Sequence, residues 1–291
     1  YNGGKDSAFW EDSYGSNFGL TYGEEEAHFT MWCSMASPLL IGCDLTYIPQ
    51  ETLDIITNPE LIAVNQDRLG LQSYVIQHDG QGYVLAKDIE KLHGGVRAVT
   101  LFNPSDSTVV FDVPVQTMGF EGTVKVRDMN ARTDLGSFQT LQMTMPAHSA
   151  KLFRVEGTRT ETQVYEAEWA YVPQFTRLRN LEKVKYEAYD GASCGVAALN
   201  VGSGDGYSLV WKDVYSFKGG KYVVTAVCAA APGTQVVLTV NDKQHVGTVT
   251  AEGLSEVSFL VDLKKGTNVL TLGNPDVDIP AVDCITLQRA S

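Results

Sequence analysis

The spacing of apolar positions changes character along the chain. Up to about residue 73 it is helical: Glu24, Glu25 and Glu26 open a run carrying Phe29, Trp32, Cys33 and Met35, and acidic residues in a first turn suit the positive end of a helix dipole. Pro38 stops that run. Leu39, Leu40 and Ile41 then form a short unbroken apolar stretch closed by Gly42, Cys43 and Asp44, the pattern of a strand buried on both faces. A second helical stretch puts Leu53, Ile55, Ile56, Leu61, Ile62 and Val64 on one face, with Pro49 near its start and Pro59 interrupting it.

From Tyr74 the period shortens to two. The runs YVIQ, GYVLAKDI, RAVTLFN, TVVFDV, TVKVRDM and SAKLFRV are separated by turn residues such as Asp79-Gly80, Gly94-Gly95 and Asn103-Pro104. Short strands at this spacing describe an antiparallel sandwich. The polar stretch VEGTRTET (155–162) has no apolar periodicity and reads as a linker. Beyond it, SLVWKDV, KYVVTAVCAAA, QVVLTVN, SEVSFLVDL, NVLTLG and AVDCITLQ make a second all-β region with the strand count of a jelly roll. The expected architecture is mainly β with a small α/β amino-terminal part, divided at 1–73, 74–157 and 158–291.

Composition narrows the partners. Thirty-five acidic against 22 basic residues leave a formal charge of -13, which repels polyphosphate, so no nucleic acid partner is expected. No apolar run approaches the roughly 20 residues of a membrane helix, and no membrane span is expected. Tyr1 to Phe9 lack the basic start and apolar core of a signal peptide, so an export signal would lie upstream. The five cysteines form no C-x-x-C pair and read as mostly buried thiols.

Particular runs go further. SPLLIGCDL (37–45) followed by ETLDIITNPELIAVNQDRLG (51–70) resembles the closing part of the catalytic barrel in glycoside hydrolase family 27, the α-galactosidase family. AHFTMW (27–32) is similar to the helix before that segment, and Gln72 to Val155 to the antiparallel domain after the barrel. The resemblance implies a (β/α)8 barrel whose eighth strand contains Leu39 to Ile41, and retaining hydrolysis of α-galactosides by two carboxylates about 5 to 5.5 Å apart. A complete barrel takes about 250 residues, and only 73 precede Tyr74. Neither family carboxylate motif is matched: Gly3 follows Tyr1-Asn2 where an Asp should stand, and Asp6 and Asp12 have the wrong spacing. No catalytic residue is therefore assigned, no cofactor is expected for catalysis, and the chain is expected to be inactive by itself. His28 and Trp32, one turn apart, read as packing residues of an outer helix. Asp44, at the carboxyl end of the presumed strand, is either a sugar contact or a cap for the residues after it.

Residues 165 to 287 resemble carbohydrate-binding modules of families 6 and 35, through YEAE (165–168), WKDV (211–214), GGKYVVTAV (219–227), VNDK (240–243), LKKGTNVLTL (263–272) and AVDCITL (281–287). That resemblance implies a structural calcium held by Glu166, Glu168 and Asp283, and hard oxygen ligands from distant segments are what calcium requires. Alternation places Glu166 and Glu168 on one face of a strand. Sugar sites stack an aromatic ring on the pyranose and bond its hydroxyls with a few polar groups; Tyr207, Trp211 and Asn274 are the candidates.

The sequence thus points to the carboxyl-terminal portion of a retaining α-galactosidase-like glycoside hydrolase acting on galactose-containing glycans. The expected location is extracytoplasmic, periplasmic or secreted. The alternative is a noncatalytic carbohydrate-binding or assembly unit that docks with the amino-terminal part of the barrel.

Overall fold

The computed structural model describes residues 19–42, 48–78, 80–175, 183–204 and 206–290. They divide into two compact units, residues 1–160 and 161–291.

The first unit begins with helix α1 (Tyr22–Ser34). Thr21 caps it reciprocally, its Oγ1 accepting from the Glu24 amide while Glu24 Oε2 accepts from the Thr21 amide at 2.7 Å. Two short helices follow, α2 (Gln50–Ile56) and α3 (Pro59–Asn65). They are separate because Asn58 Oδ1 accepts from the Glu60 and Leu61 amides and starts a new helix, with Pro59 in its first turn.

A six-stranded antiparallel sheet runs in the order β1 (Tyr74–His78), β2 (Tyr83–Asp88), β3 (Val96–Asn103), β8 (Ser149–Arg159), β5 (Phe120–Asp128), β6 (Thr133–Phe138). A two-stranded sheet, β4 (Val109–Pro114) with β7 (Thr140–Met145), completes the sandwich. β4 alternates strictly between buried and exposed positions, as a strand with one wet face should. β3 and β8 do not alternate, because both of their faces are covered. Val99, Leu101, Phe153 and Val155 fill the sandwich interior with Phe111, Val113 and Phe120. Ala98 and Leu152 face the other way, against Phe29, Cys33, Ile55, Ile56, Leu61 and Val64 of the helices. Each of the larger aliphatic and aromatic side chains in that layer contributes about 1.5–3 kcal/mol on burial.

Polar contacts fix the helices on the sheet. Ser34 Oγ lies 2.9 Å from Ser73 Oγ and 2.8 Å from Thr100 Oγ1. Asn58 Nδ2 donates to the carbonyls of Met129 and Asn130, and Asn130 Nδ2 to Thr30 Oγ1. Lys87, 1% exposed, donates to the Cys33 and Val64 carbonyls near the carboxyl ends of α1 and α3, where the helix dipole favours a cation. Burial nevertheless pulls its ammonium down to about 8.

Two sequence expectations are corrected here. Leu39 to Ile41 form no strand; Leu40 is 81% and Ile41 54% exposed. A parallel barrel strand needs a strand on each side, and the described residues offer none there. The linker expected from Val155 is instead strand: β8 continues to Arg159, with the Gly157 amide bonded to the Gly95 carbonyl and the Thr160 amide to the Gly119 carbonyl. The units divide between Thr160 and Glu161.

The second unit is a two-sheet β sandwich. One sheet orders β10 (Lys185–Ala188), β11 (Val196–Gly202), β18 (Asp278–Arg289), β13 (Gly220–Ala229) and β16 (Leu254–Leu263), with β9 (Val164–Glu166) pairing β18. The other orders β12 (Leu209–Ser216), β17 (Gly266–Gly273), β14 (Gln235–Val240) and β15 (Lys243–Thr248). Val224, Ala226, Leu238, Leu270, Leu272 and Ile285 are among the fully buried residues between them. Glu161 is held at the unit's start by Ser216 Oγ, the Phe217 amide and Tyr222 Oη.

Candidate functional site

The strongest concentration of chemistry lies where β9 meets β18 in the second unit. β9 ends at Glu166, and a single 3-10 turn, Ala167–Trp169, follows. Glu168 therefore reaches the site from a turn, not from the same strand face as Glu166, and this replaces the alternation argument. Asp283 arrives by a different device. β13 pairs Val227 with Cys284 and then Cys228 with Val282, so Asp283 is the extra residue of a β-bulge. Bulges re-aim side chains, and here consecutive residues deliver Asp283 and Cys284 to one place.

Ligand-capable atoms of Glu166, Glu168 and Cys194 lie within 4.8 Å of one another, as do those of Glu166, Asp283 and Cys284. Glu166 and Asp283 are each 4% exposed. Ser193 bridges them: its Oγ is 2.6 Å from Glu166 Oε2 and 3.0 Å from Asp283 Oδ1, and its amide donates to Asp283 Oδ1 at 2.9 Å. One hydroxyl proton cannot serve both carboxylates. Glu168 Oε2 is buried without a hydrogen-bond partner, and among the described residues no Lys, Arg or His forms an ion pair with the three acids.

Burial pushes all three carboxyl groups up, Glu168 to about 7 with help from the charges of Glu166 and Asp283. Burial and the same carboxylates push the Cys194 thiol up to about 12. Three acids crowded in low dielectric with too few donors are what a bound cation would neutralise. The residues fit a divalent ion. The sequence anticipated the three acids and missed Ser193, Cys194 and Cys284. The adjacent Asp283-Cys284 pair was the available signal, concealed because strict alternation sends neighbours to opposite faces.

The proposed sugar contacts are not brought to this cluster. Trp211 is 3% exposed, with its indole Nε1 donating to the Glu166 carbonyl at 2.9 Å; it is a core residue with no open face for a pyranose. Asn274, 6% exposed, donates to the Gln235 carbonyl and accepts from the Asp276 and Val277 amides, so its amide shapes a turn. Gly202, at φ +106°, permits that turn, since a Cβ there would meet the Asn274 carbonyl oxygen at 2.6 Å. Tyr207 is half-buried, packed on the core with Lys183 Nζ 4.5 Å from its ring centroid. The most exposed aromatic of this unit is instead Tyr171, half exposed beneath Lys212 Nζ. Asp44, Asp6 and Asp12 lie outside the described residues.

In the first unit an apolar pocket of about 220 Å³ is lined by His28, Phe29, Trp32, Leu39, Leu40, Ile41, Ile56 and Ile62. His28 and Trp32 meet edge to face at 5.0 Å, and burial lowers the His28 pKa.

Comparison with known proteins assigns the first unit. Residues 10–67 match the family model described as Alpha galactosidase A, and residues 84–155 the model described as Alpha galactosidase C-terminal beta sandwich domain. The chain is 38% identical over 130 residues to "Alpha-galactosidase 3" of Arabidopsis thaliana, which covers 42% of this chain and 30% of that protein. It is 36% identical over 126 residues to the "Probable alpha-galactosidase" of Dictyostelium discoideum, covering 42% and 32%. Over these residues the chain is α-galactosidase-like. It spans about a third of the length of these relatives. The solved isomalto-dextranase of Arthrobacter globiformis T6, in complex with panose, superposes on 92% of this chain and 48% of its own with a TM-score of 0.53 at 19% identity. That likeness concerns fold alone.

Proposed function

We propose that this chain is the carboxyl-terminal part of a retaining α-galactosidase-like hydrolase that acts on α-galactosides outside the cytoplasm. The observation that carries the reading is the pair of consecutive matches, barrel segment then sandwich, in a chain whose helices and sheet share one core. The reaction class is double displacement. A carboxylate forms a bond to the anomeric carbon while an acid protonates the departing oxygen; water then breaks the glycosyl-enzyme bond as the second residue takes its proton. Both carboxylates belong to barrel strands outside these residues, and no cofactor takes part. The role of this chain is structural to that site: α1 to α3 and the apolar pocket beside Trp32 give the remaining barrel a wall to close against.

The second unit is proposed to bind galactose-containing glycans, with Tyr171 and Tyr207 as the aromatic surfaces. Glu166, Glu168 and Asp283 would hold a divalent cation that ties β9 to β18, calcium being the ion the module resemblance implies. Among the described residues no helix is long and apolar enough to cross a membrane.

The test is hydrolysis of an aryl α-galactoside by the gene product extended to its natural amino terminus, beside the 291-residue chain of verified intact mass. Preference of the extended product for the α-galactoside over the α-glucoside by at least tenfold, with no turnover by the shorter chain, is the expected result. Turnover by the shorter chain would overturn the placement of the carboxylates outside it.

A further inference from the structure

We infer that the carboxylate cluster of the second unit takes a thiophilic divalent ion of the zinc class, with Cys194 as a thiolate ligand, in preference to calcium. The inference rests on the reading of that cluster as a cation site and deepens it. Calcium surrounds itself with six to eight oxygens and makes no use of sulfur. Here two of the four ligand-capable side chains around Glu166 are thiols, Cys194 on the side of Glu168 and Cys284 on the side of Asp283. Cys194 Sγ is 3.7 Å from Glu166 Oε1, and Cys284 Sγ is 3.6 Å from Asp283 Oδ2. A tetrahedral zinc with bonds of about 2.3 Å to sulfur and 2.0 Å to oxygen separates its sulfur and oxygen ligands by about 3.5 Å. The observed spacing needs only small movements to become a coordination edge.

The site is built, not incidental. Ser193, one residue before Cys194, is fastened to both Glu166 and Asp283, so the turn bearing the thiol is clamped to the acids. The buried, unpartnered Glu168 Oε2 supplies a third donor on the Cys194 side. Binding breaks the Cys194 S–H bond, forms a metal–sulfur bond and sends the proton to solvent. The carboxylates of Glu166 and Glu168 and the Cys194 thiolate then surround two positive charges, and the Cys284 thiol stays protonated beside Asp283.

The whole chain, stripped of metal with a chelator, is titrated with Co²⁺ as a coloured stand-in and then with Zn²⁺ and Ca²⁺. Thiolate-to-cobalt charge-transfer absorption is expected in the near ultraviolet, lost in Cys194→Ser, retained in Cys228→Ser, and displaced by equimolar Zn²⁺ but not by equimolar Ca²⁺. A measurement on the unaltered chain guards against a misfolded variant: Zn²⁺ should slow alkylation of Cys194 at least tenfold, read by peptide mass, and Ca²⁺ should not. Cation binding without the absorption band and without protection of Cys194 overturns the thiolate assignment and leaves the oxygen site standing. Absence of binding by all three ions, unchanged in Glu168→Gln, overturns both.

Discussion

Asn58 caps α3 through Oδ1 and grips the sheet through Nδ2, donating to Met129 and Asn130 at 3.0 and 3.1 Å. Replacing it by alanine removes an N-cap worth about 1 kcal/mol and leaves the Met129 carbonyl oxygen buried without its donor, a further cost of about 1–3 kcal/mol. The sum is about 3 kcal/mol, which for a unit of this size lowers the midpoint of thermal unfolding by about 6–12 °C. Two further variants separate the roles. Asn58→Ser keeps a cap acceptor and loses the grip, so about two-thirds of the loss should remain. Asn58→Asp keeps the cap but sets carboxylate oxygen against two carbonyls, and should be no more stable than alanine. Calorimetry and urea unfolding of all three are the assays. Asn58→Ala within 0.5 kcal/mol of the unaltered chain, a change typical of featureless surface positions, or Asn58→Asp as stable as asparagine, would refute the claim that this side chain joins helix to sheet.

Lys87 gives a pH prediction. Its folded-state pKa, down at about 8, lies below the unfolded value near 10.4, so between these limits the unfolded chain binds more protons and stability rises with pH. Measured against Lys87→Met, which cancels other titrations, the unaltered chain should gain about 3 kcal/mol from pH 8 to 10.5; a flat difference would show the ammonium is not held in this environment. Trp211→Phe should cost about 1–2 kcal/mol, from the lost bond to the Glu166 carbonyl, and leave retention on a galactomannan gel unchanged; lost retention with unchanged stability would return Trp211 to the sugar site.

Helix positions and sandwich strands were legible because burial on one face leaves a period. Phe29, Cys33, Ile55 and Ile56 repeat helically, and Val109, Phe111 and Val113 alternate. What periodicity conceals is where the rule is broken for a reason. The stretch after Val155 looks polar because Thr158 and Arg159 sit at the end of β8, yet Gly157 still pairs with Gly95. Leu39 to Ile41 have a buried strand's composition, and the described residues offer them no neighbouring strand to pair with. The acids of the candidate metal site were legible through the YEAE and AVDC motifs. Its thiols were not, since a bulge at Asp283 and a left-handed backbone at Cys194 (φ 54°) carry no periodic trace. Trp211 and Asn274 show the converse: residue types common in sugar sites are equally suited to cores and turns, and their environment decides.

The double burial of β3 and β8 also dictates where this polypeptide can be divided. A chain trimmed to start at Ser73 would retain every strand of the first sandwich and still uncover Ile89, Ala98, Met129 and Leu152, together with Lys87 deprived of both its acceptors. The sandwich matched by its own family model is therefore not an independent cassette. Anyone transplanting it between enzymes must carry α1 to α3 along, or redesign one whole side of the sheet for water.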